Sequence, residues 1–148
     1  MAELQALPLG PLQWAKLTPR NAMPSLHAAW AFILWFNSRP FPRTYRWLAF
    51  LFVLLTILST LSLGEHYLAD LVVAFPFSVA VYALWSKAAT RQIEISTAVG
   101  LALTVAWMVL LRYGVRVLIL SPLVVWACIF LSTTVAWLAG RKVLEGVA

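Results

Sequence analysis

The sequence predicts an all-α protein, a multi-spanning transmembrane helical bundle of about five helices. Hydrophobic residues make up 63% of the chain and charged residues only 11%. A soluble domain is about 45–50% apolar and about 25% charged, so this composition is typical of a membrane protein. The eight tryptophans agree with this class, because tryptophan is enriched where helices meet the membrane surface.

Proline positions separate the first elements of the chain. Residues 1–22 contain three prolines and few periodic apolar positions, which predicts an irregular or interfacial leader, and no signal peptide is recognised there. A first helix is predicted over residues 24–37, with Pro24 in its first turn, where a missing N–H costs nothing. Two prolines interrupt residues 38–43, which are therefore predicted to form a loop.

Four longer apolar runs follow this loop. Helices are predicted over about residues 44–63, 66–86, 96–111 and 117–139, with a kink at Pro76. At about 1.5 Å per residue, roughly 20 residues cross a bilayer core, which the first helix of the chain is too short to do. The predicted organisation is a leader at 1–22, helices with the candidate catalytic motifs at 23–87, and two further transmembrane helices at 88–148.

The basic residues lie in small groups between the apolar runs. Such groups anchor helix ends, so the net charge of +6 does not predict a nucleic-acid partner. Counting crossings puts the starts of the first and third helices on one membrane face with four basic residues, while the opposite face receives seven. The positive-inside rule then predicts that the first face is non-cytoplasmic. The four are Lys16, Arg20, Arg112 and Arg116, and the seven are Arg39, Arg43, Arg46, Lys87, Arg91, Arg141 and Lys142.

Both histidines and the only aspartate fall in two short strings that this topology brings to the same face. Ionisable residues among transmembrane helices are costly and are functional by default. His66 and Asp70 are four residues apart, so they share one face at the start of a helix. The Asp70 carboxylate is expected to accept a hydrogen bond from one imidazole nitrogen, which leaves the other as a nucleophile or base.

Ser25 and His27 open the first helix, and the shortness of that helix places them below the headgroup level, in an expected protein-lined cavity. The N–H groups and the dipole of a helix start favour an anion, and the Ser25 hydroxyl adds a donor. A simple helix-start role for Ser25 is the alternative. An imidazole nucleophile facing an anion-binding helix start with a second imidazole predicts phosphoryl transfer.

The strings MPSLHAAW at Met23–Trp30 and GEHYLAD at Gly64–Asp70 resemble two signature motifs of the membrane type 2 phosphatidic acid phosphatase superfamily. Their particular forms are most similar to its inositol phosphorylceramide synthase-like branch, and the resemblance covers about residues 20–86. It implies a helical membrane bundle that works without a metal or a cofactor. It also implies the site roles: nucleophile for His66, orienting carboxylate for Asp70, acid for His27 and phosphate contact for Ser25.

Two departures from the family pattern affect the phosphate site. The first motif, a lysine followed by Arg-Pro, is absent together with the helices that precede it, so we expect the chain to be N-terminally incomplete. Thr60 stands where the third motif usually carries a basic residue. Arg20 is the nearest replacement cation for binding phosphate, with Lys16, Arg112 and Arg116 as alternatives.

Two classes of function follow from these motifs. The first is an integral membrane enzyme of lipid metabolism, a phosphatase or an inositolphosphotransferase-like enzyme that forms a phosphohistidine. Its substrate would be a lipid phosphate or phosphodiester in the bilayer, and its acceptor water or a polyol such as inositol. The second class is a truncated or non-catalytic membrane subunit, which the missing first motif favours.

Overall fold

The structure is a computed structural model that describes residues 23–62, 68–114, 118 and 121–145. These residues form five helices and no strand, which confirms the predicted all-α class. The leader predicted at residues 1–22 lies outside the described residues. The helices are α1 at Leu26–Asn37, α2 at Arg43–Ser62, α3 at Leu68–Trp85, α4 at Thr90–Tyr113 and α5 at Pro122–Glu145.

Four of these helices are long enough to cross a membrane. Helices α2 to α5 contain 20, 18, 24 and 24 residues, and each is apolar enough for a membrane span. Helix α1 has 12 residues and is about 18 Å long, little more than half of a hydrocarbon core of roughly 30 Å. The bundle is therefore built from four spans and one shorter helix that reaches only part of the way through.

Helix α3 is the centre of the bundle. Its most apolar window is 61% buried inside the protein, whereas the corresponding windows of α2, α4 and α5 are only 17%, 22% and 17% buried. Helices α1, α4 and α5 pack against α3, and α2 packs against α1. Because α3 is apolar on every side, it is stable when surrounded by other helices, whereas the outer helices leave large apolar side chains for the lipid.

Glycines allow α4 and α5 to approach α3 closely. A Cβ atom at Gly100 would lie 2.6 Å from the Pro76 carbonyl oxygen and 2.8 Å from the Ala80 Cβ. A Cβ atom at Gly140 would lie 2.7 Å from the Val79 Cγ1. Such distances are clashes, so the two glycines set the spacing of both helices from α3. Helix α3 itself continues through Pro76 as one element.

The predicted bounds of α4 and α5 are wrong by several residues. Helix α4 begins at Thr90 rather than near residue 96, and α5 runs from Pro122 to Glu145 rather than over 117–139. Hydropathy identifies the part of a helix that lies in lipid, whereas the helix itself can continue into water. Proline is favoured at a first helical position, and an ion pair of 2.7 Å between Arg141 and Glu145 supports the last turn of α5.

One cation connects the α1–α2 loop to the end of α5. The Arg39 guanidinium lies over the Trp137 ring, 5.2 Å from its centroid. Burial lowers the pKa of Arg39 below its ordinary value, while the nearby Tyr82 and Glu145 act in the opposite direction. The contact places the end of α5 on the same side as the α1–α2 loop, which agrees with the crossing count.

Candidate active site

Three of the five predicted site residues lie in the described part of the chain. Ser25 immediately precedes α1, His27 is the second residue of α1, and Asp70 is the third residue of α3. The predicted nucleophile His66 and the predicted phosphate-binding Arg20 lie outside the described residues. The part of the candidate site that the structure describes is therefore formed by the starts of α1 and α3.

The starts of α1 and α3 are joined directly through their backbones. The Ser25 N–H donates a hydrogen bond to the Asp70 carbonyl oxygen at 3.2 Å. Both residues are completely buried, with 0% of their surface exposed. The two motif strings, well separated in sequence, thus meet at one end of the bundle, where the crossing count places them.

Ser25 is the N-cap of α1. Its Oγ accepts a hydrogen bond from the Ala28 N–H at 3.4 Å, and its carbonyl oxygen accepts one from the Ala29 N–H at 2.9 Å. The helix begins after Ser25, so Pro24 precedes the cap, and the prediction that Pro24 lies in the first turn is wrong. Serine is favoured at the N-cap because its hydroxyl can accept a hydrogen bond from an N–H of the first turn. A hydroxyl that accepts one hydrogen bond keeps a proton to donate, so capping is compatible with a phosphate contact.

Small side chains hold the two helix starts together. Ala28 and Ala29 of α1 pack against Leu71 and Ala74 of α3 in a buried cluster. One turn farther along, the Ser78 hydroxyl donates mainly to the Ala74 carbonyl oxygen of its own helix at 2.5 Å, and it also lies 3.3 Å from the Ala29 carbonyl oxygen. Close packing of alanines brings the backbones near each other, so the position of Asp70 relative to Ser25 is set by both helices rather than by a loop.

Aromatic rings fill the bundle behind this contact. The Phe32 and Phe75 rings meet edge to face at 5.3 Å between centroids, and Phe36 meets Tyr82 in the same manner at 5.5 Å. Edge-to-face pairs add specific geometry to the burial of apolar surface. The aromatic layer thus supports the α1–α3 contact on the side away from the two helix starts.

The burial of Asp70 limits what its carboxylate can do. A buried carboxylate is costly unless it is hydrogen-bonded or paired. Its place in the first turn of α3 is favourable, because the helix dipole stabilises negative charge there. A side chain of this kind, shielded from water and fixed in direction, is suited to orienting a neighbouring group.

His27 lies on a different side of α1 from the residues that pack on α3. Its side chain is exposed, whereas Ala28 and Ala29 are buried. The expectation that Ser25 and His27 share a protein-lined cavity is therefore wrong for His27, because the buried positions beside it on α1 are those of the alanines. Exposure leaves the imidazole accessible from the end of the bundle at which α1 begins.

The cation that would bind phosphate is only partly located. The Thr60 hydroxyl donates to carbonyl oxygens of its own helix, those of Thr56 at 2.9 Å and Ile57 at 3.0 Å. Arg112 is exposed in the last turn of α4, which ends on the side where α3 begins. The other candidates, Lys16, Arg20 and Arg116, lie outside the described residues. Within the described ranges, no cluster of three or more histidine, cysteine or acidic side chains is arranged to hold a metal ion.

A second feature of the α1–α3 pair was not predicted from the sequence. A groove of about 740 Å³ runs between the two helices, from Leu26, the residue after Ser25, to Lys87 beyond the end of α3. Exposed tryptophans, Trp30 and Trp85, form part of its wall. From the sequence, both tryptophans are predicted only to lie at the membrane surface or in packing contacts. The groove forms between two helices, so neither helix alone predicts it. The remaining lining residues are Leu26, Ala29, Ile33, Asn37, Phe77, Val81, Tyr82, Ser86 and Lys87.

Comparison with known proteins identifies the family of the chain. The model of the PAP2 superfamily matches residues 10–84, slightly more than half of the 148 residues. The match includes both motif strings, all of α1 and α2, and nearly all of α3. No curated protein and no solved structure matches the chain significantly. Since the match includes the region where Ser25 and Asp70 meet, and more than half of the chain, the protein belongs to the PAP2 superfamily.

Proposed function

We propose that this protein is an integral membrane enzyme that cleaves or transfers a lipid phosphate through a phosphohistidine, without a metal. The observation that carries the proposal is the hydrogen bond between the Ser25 N–H and the Asp70 carbonyl oxygen. It joins the helix start that is suited to bind an anion to the helix start that carries the buried carboxylate. Membership of the PAP2 superfamily supports a phosphatase-like function in the membrane.

In the first proposed step, the free imidazole nitrogen of His66 attacks the phosphorus of the lipid. The phosphorus–oxygen bond to the lipid alcohol breaks, and His27 gives a proton to the departing oxygen. The products are the lipid alcohol and phosphohistidine at position 66. Asp70 acts as the positioning residue, because four-residue spacing lets its carboxylate accept a hydrogen bond from the other imidazole N–H.

In the second step, His27 acts as a base. It takes a proton from water or from a polyol hydroxyl, whose oxygen attacks the phosphorus of the phosphohistidine. The phosphorus–nitrogen bond breaks and returns the His66 imidazole to its starting state. Donors at the start of α1, including the Ser25 hydroxyl, stabilise the phosphoryl oxygens in both steps, and Arg20 is the proposed basic partner.

The choice between water and a polyol acceptor is a finer part of the proposal. The forms MPSLHAAW and GEHYLAD resemble the inositol phosphorylceramide synthase-like branch, which supports transfer of a headgroup phosphate to inositol or another polyol. Hydrolysis uses the same residues, because His27 can activate either acceptor. Release of inorganic phosphate in the absence of a polyol, and its replacement by a polyol phosphomonoester when polyol is added, would distinguish the two reactions.

A non-catalytic membrane subunit is the second candidate function. The observation that favours it is the N-cap role of Ser25, which gives this residue a structural purpose without any substrate. Under this alternative, the Ser25–Asp70 contact only holds α1 and α3 together.

Turnover of a panel of lipid phosphates and phosphodiesters by purified protein separates the two candidates. We expect activity in the wild type that persists in chelator and is abolished in His66→Ala and His27→Ala. Glu94→Gln serves as the control, because Glu94 lies near the start of α4, at the far end of the bundle from the two helix starts. Equal turnover by wild type and His66→Ala would contradict the enzyme proposal, and so would loss of wild-type activity in chelator.

We also propose that the Ser25–Asp70 end faces away from the cytoplasm. The supporting observation is the unequal number of basic residues at the two ends of the helices. With Cys128 replaced by serine, cysteines are introduced singly at Tyr113 and Trp85, which are 79% and 85% exposed at opposite ends. A membrane-impermeant maleimide added to intact cells should label Tyr113→Cys and not Trp85→Cys, and the reverse result would overturn the orientation.

A further inference from the structure

The groove between α1 and α3 follows the whole of α1 and the second half of α3. Its α3 residues all come from the second half of that helix, from Phe77 to Trp85, and it continues to Lys87 beyond the helix end. On α1 it extends from Leu26, the first residue, to Asn37, the last residue. Its near end therefore lies one residue beyond Ser25, and its far end, at Asn37 and Lys87, reaches the end of the bundle opposite the Ser25–Asp70 contact.

The lining of the groove changes from apolar to polar along its length. Leu26, Ile33, Phe77 and Val81 form an apolar channel inside the membrane. The polar groups, Asn37, Ser86 and Lys87, are all at the far end. An apolar channel that ends in an ammonium group matches a molecule with a hydrocarbon tail and an anionic head.

The size and surroundings of the groove fit one lipid chain. Its volume of about 740 Å³ lies within the roughly 300–1,000 Å³ typical of ligand sites. Helix α1, which forms one wall, is about 18 Å long and so covers about the depth of one leaflet. Four arginines, Arg39, Arg43, Arg46 and Arg91, lie in the loop or the first turns of helices at the same end and add positive charge there.

From this placement we propose that the groove binds an anionic phospholipid of the leaflet at the Lys87 end. Its acyl chain lies along Ile33, Phe77 and Val81, and the Lys87 ammonium pairs with its phosphate. The headgroup end of this site lies at the end of the bundle opposite the Ser25–Asp70 contact, and the lipid enters from the leaflet at that end. The proposal does not depend on the catalytic function, because it requires only that the bundle spans a membrane.

The test uses the full chain in lipid nanodiscs with two photoactivatable lipids that have identical acyl chains. One is anionic phosphatidylglycerol and the other is zwitterionic phosphatidylcholine, and mass spectrometry locates the cross-links. We expect the anionic probe to label the groove residues of α1 and α3 at least about fivefold more than the zwitterionic probe, as expected for a charge-paired headgroup. Equal labelling by both probes would overturn the proposal.

Substitutions in and near the groove test whether the labelled lipid binds there. Lys87→Gln should reduce labelling by the anionic probe to the zwitterionic level, whereas Lys87→Arg should retain it. Arg91→Gln is the matched control, because it removes one charge at the same end without touching the groove. Ile33→Trp should block the channel and abolish labelling by both probes. Elution volume and melting temperature report that each variant is folded.

Three other outcomes would refute the proposal. Unchanged labelling in Lys87→Gln would mean that charge does not select the occupant. Displacement of the probe by a lipid phosphate that is itself turned over would assign the groove to the substrate chain. Cross-links between two copies of the protein at Trp30 and Trp85, with no lipid attached, would show that a second copy of the protein occupies the groove.

Discussion

The two ends of the bundle differ in how they treat polar groups. Where α1 and α3 begin, Ser25 and Asp70 are completely buried and joined by a backbone hydrogen bond. Where the same helices end, Lys87 is exposed and Arg39 is only partly covered by Trp137. One end buries this serine and this aspartate, and the other presents charge to the membrane surface.

The two ends are therefore suited to different tasks. The end with Ser25 and Asp70 is suited to holding groups in a fixed geometry, and the end with Lys87 and Arg39 is suited to attracting negative charge. Buried polar groups are useful where geometry must be fixed, because they are strongly oriented and poorly screened. Exposed cations are suited to anchoring and to lipid headgroups, because they remain solvated and tolerate movement. The predictions below change one end at a time, or the central helix that the ends share, and run from the largest expected effect to the smallest.

Replacing the carboxylate at the buried end should have the largest effect. We expect Asp70→Asn to lower kcat by at least about 100-fold, because an amide can leave His66 in the wrong tautomer while keeping the shape of the side chain. The melting temperature should change far less than the activity. Steady-state kinetics and thermal unfolding of the same preparation measure both, and an activity loss that merely follows unfolding would indicate a structural role.

A change at the shared centre should affect both ends together. Gly100→Ala places a methyl group 2.6 Å from the Pro76 carbonyl oxygen, so α4 must move away from α3. We expect a loss of roughly 1–3 kcal/mol in the free energy of unfolding, as for other overpacked cores, with lower activity and weaker lipid labelling.

The control for this change is Leu101→Ala on the next residue, which is 46% exposed toward lipid. Its effect on unfolding should be within about 0.5 kcal/mol, as is usual for substitutions away from packed contacts. If Gly100→Ala behaves like Leu101→Ala, the close approach of α4 to α3 does not stabilise the bundle.

Removing the hydroxyl at the buried end should separate capping from phosphate contact. Glycine is tolerated at an N-cap at a cost of only a few tenths of a kcal/mol, so Ser25→Gly should unfold at nearly the wild-type temperature. Loss of one hydrogen bond to the phosphoryl group should still lower kcat/KM by roughly 5- to 10-fold. Unchanged kinetics in Ser25→Gly would leave Ser25 with a capping role alone.

The smallest effect is expected at the charged end. Arg39→Ala removes the contact with Trp137 and should cost about 0.5–2 kcal/mol of stability, the range for a half-buried cation over an aromatic ring. Arg39→Lys should recover part of this loss, and turnover at the opposite end should not change. A large loss of activity in Arg39→Ala would show that the two ends are not independent.

The sequence was sufficient to predict the class of fold and the meeting of the two motifs. Long apolar runs determine which segments enter the membrane, and counting their crossings brings Ser25 and Asp70 to the same end. The same runs could not predict where α4 begins or where α5 ends, because Thr90 and Glu145 lie in parts of the helices that hydropathy does not detect.

The features that the sequence could not predict arise from packing between helices. The exposure of His27 depends on which face of α1 meets α3, and the alanines at 28 and 29 decide that face. The groove depends on the spacing of Ile33 and Val81 across two helices, which no single segment encodes. The roles of His66, Asp70, His27 and Ser25 stay predictions from the motifs, and that of Arg20 stays a prediction from its nearness to the MPSLHAAW string.

The central claim is that phosphate passes through a covalent bond to one histidine, and trapping that intermediate tests it most directly. Purified protein is mixed with a lipid phosphate that carries a radiolabel in the phosphoryl group, quenched in alkali, and digested for mass spectrometry. We predict an alkali-stable, acid-labile phosphate on His66 in the wild type and none in His66→Ala. A protein that turns over the lipid without this label, or that carries it equally in His66→Ala, would contradict the account.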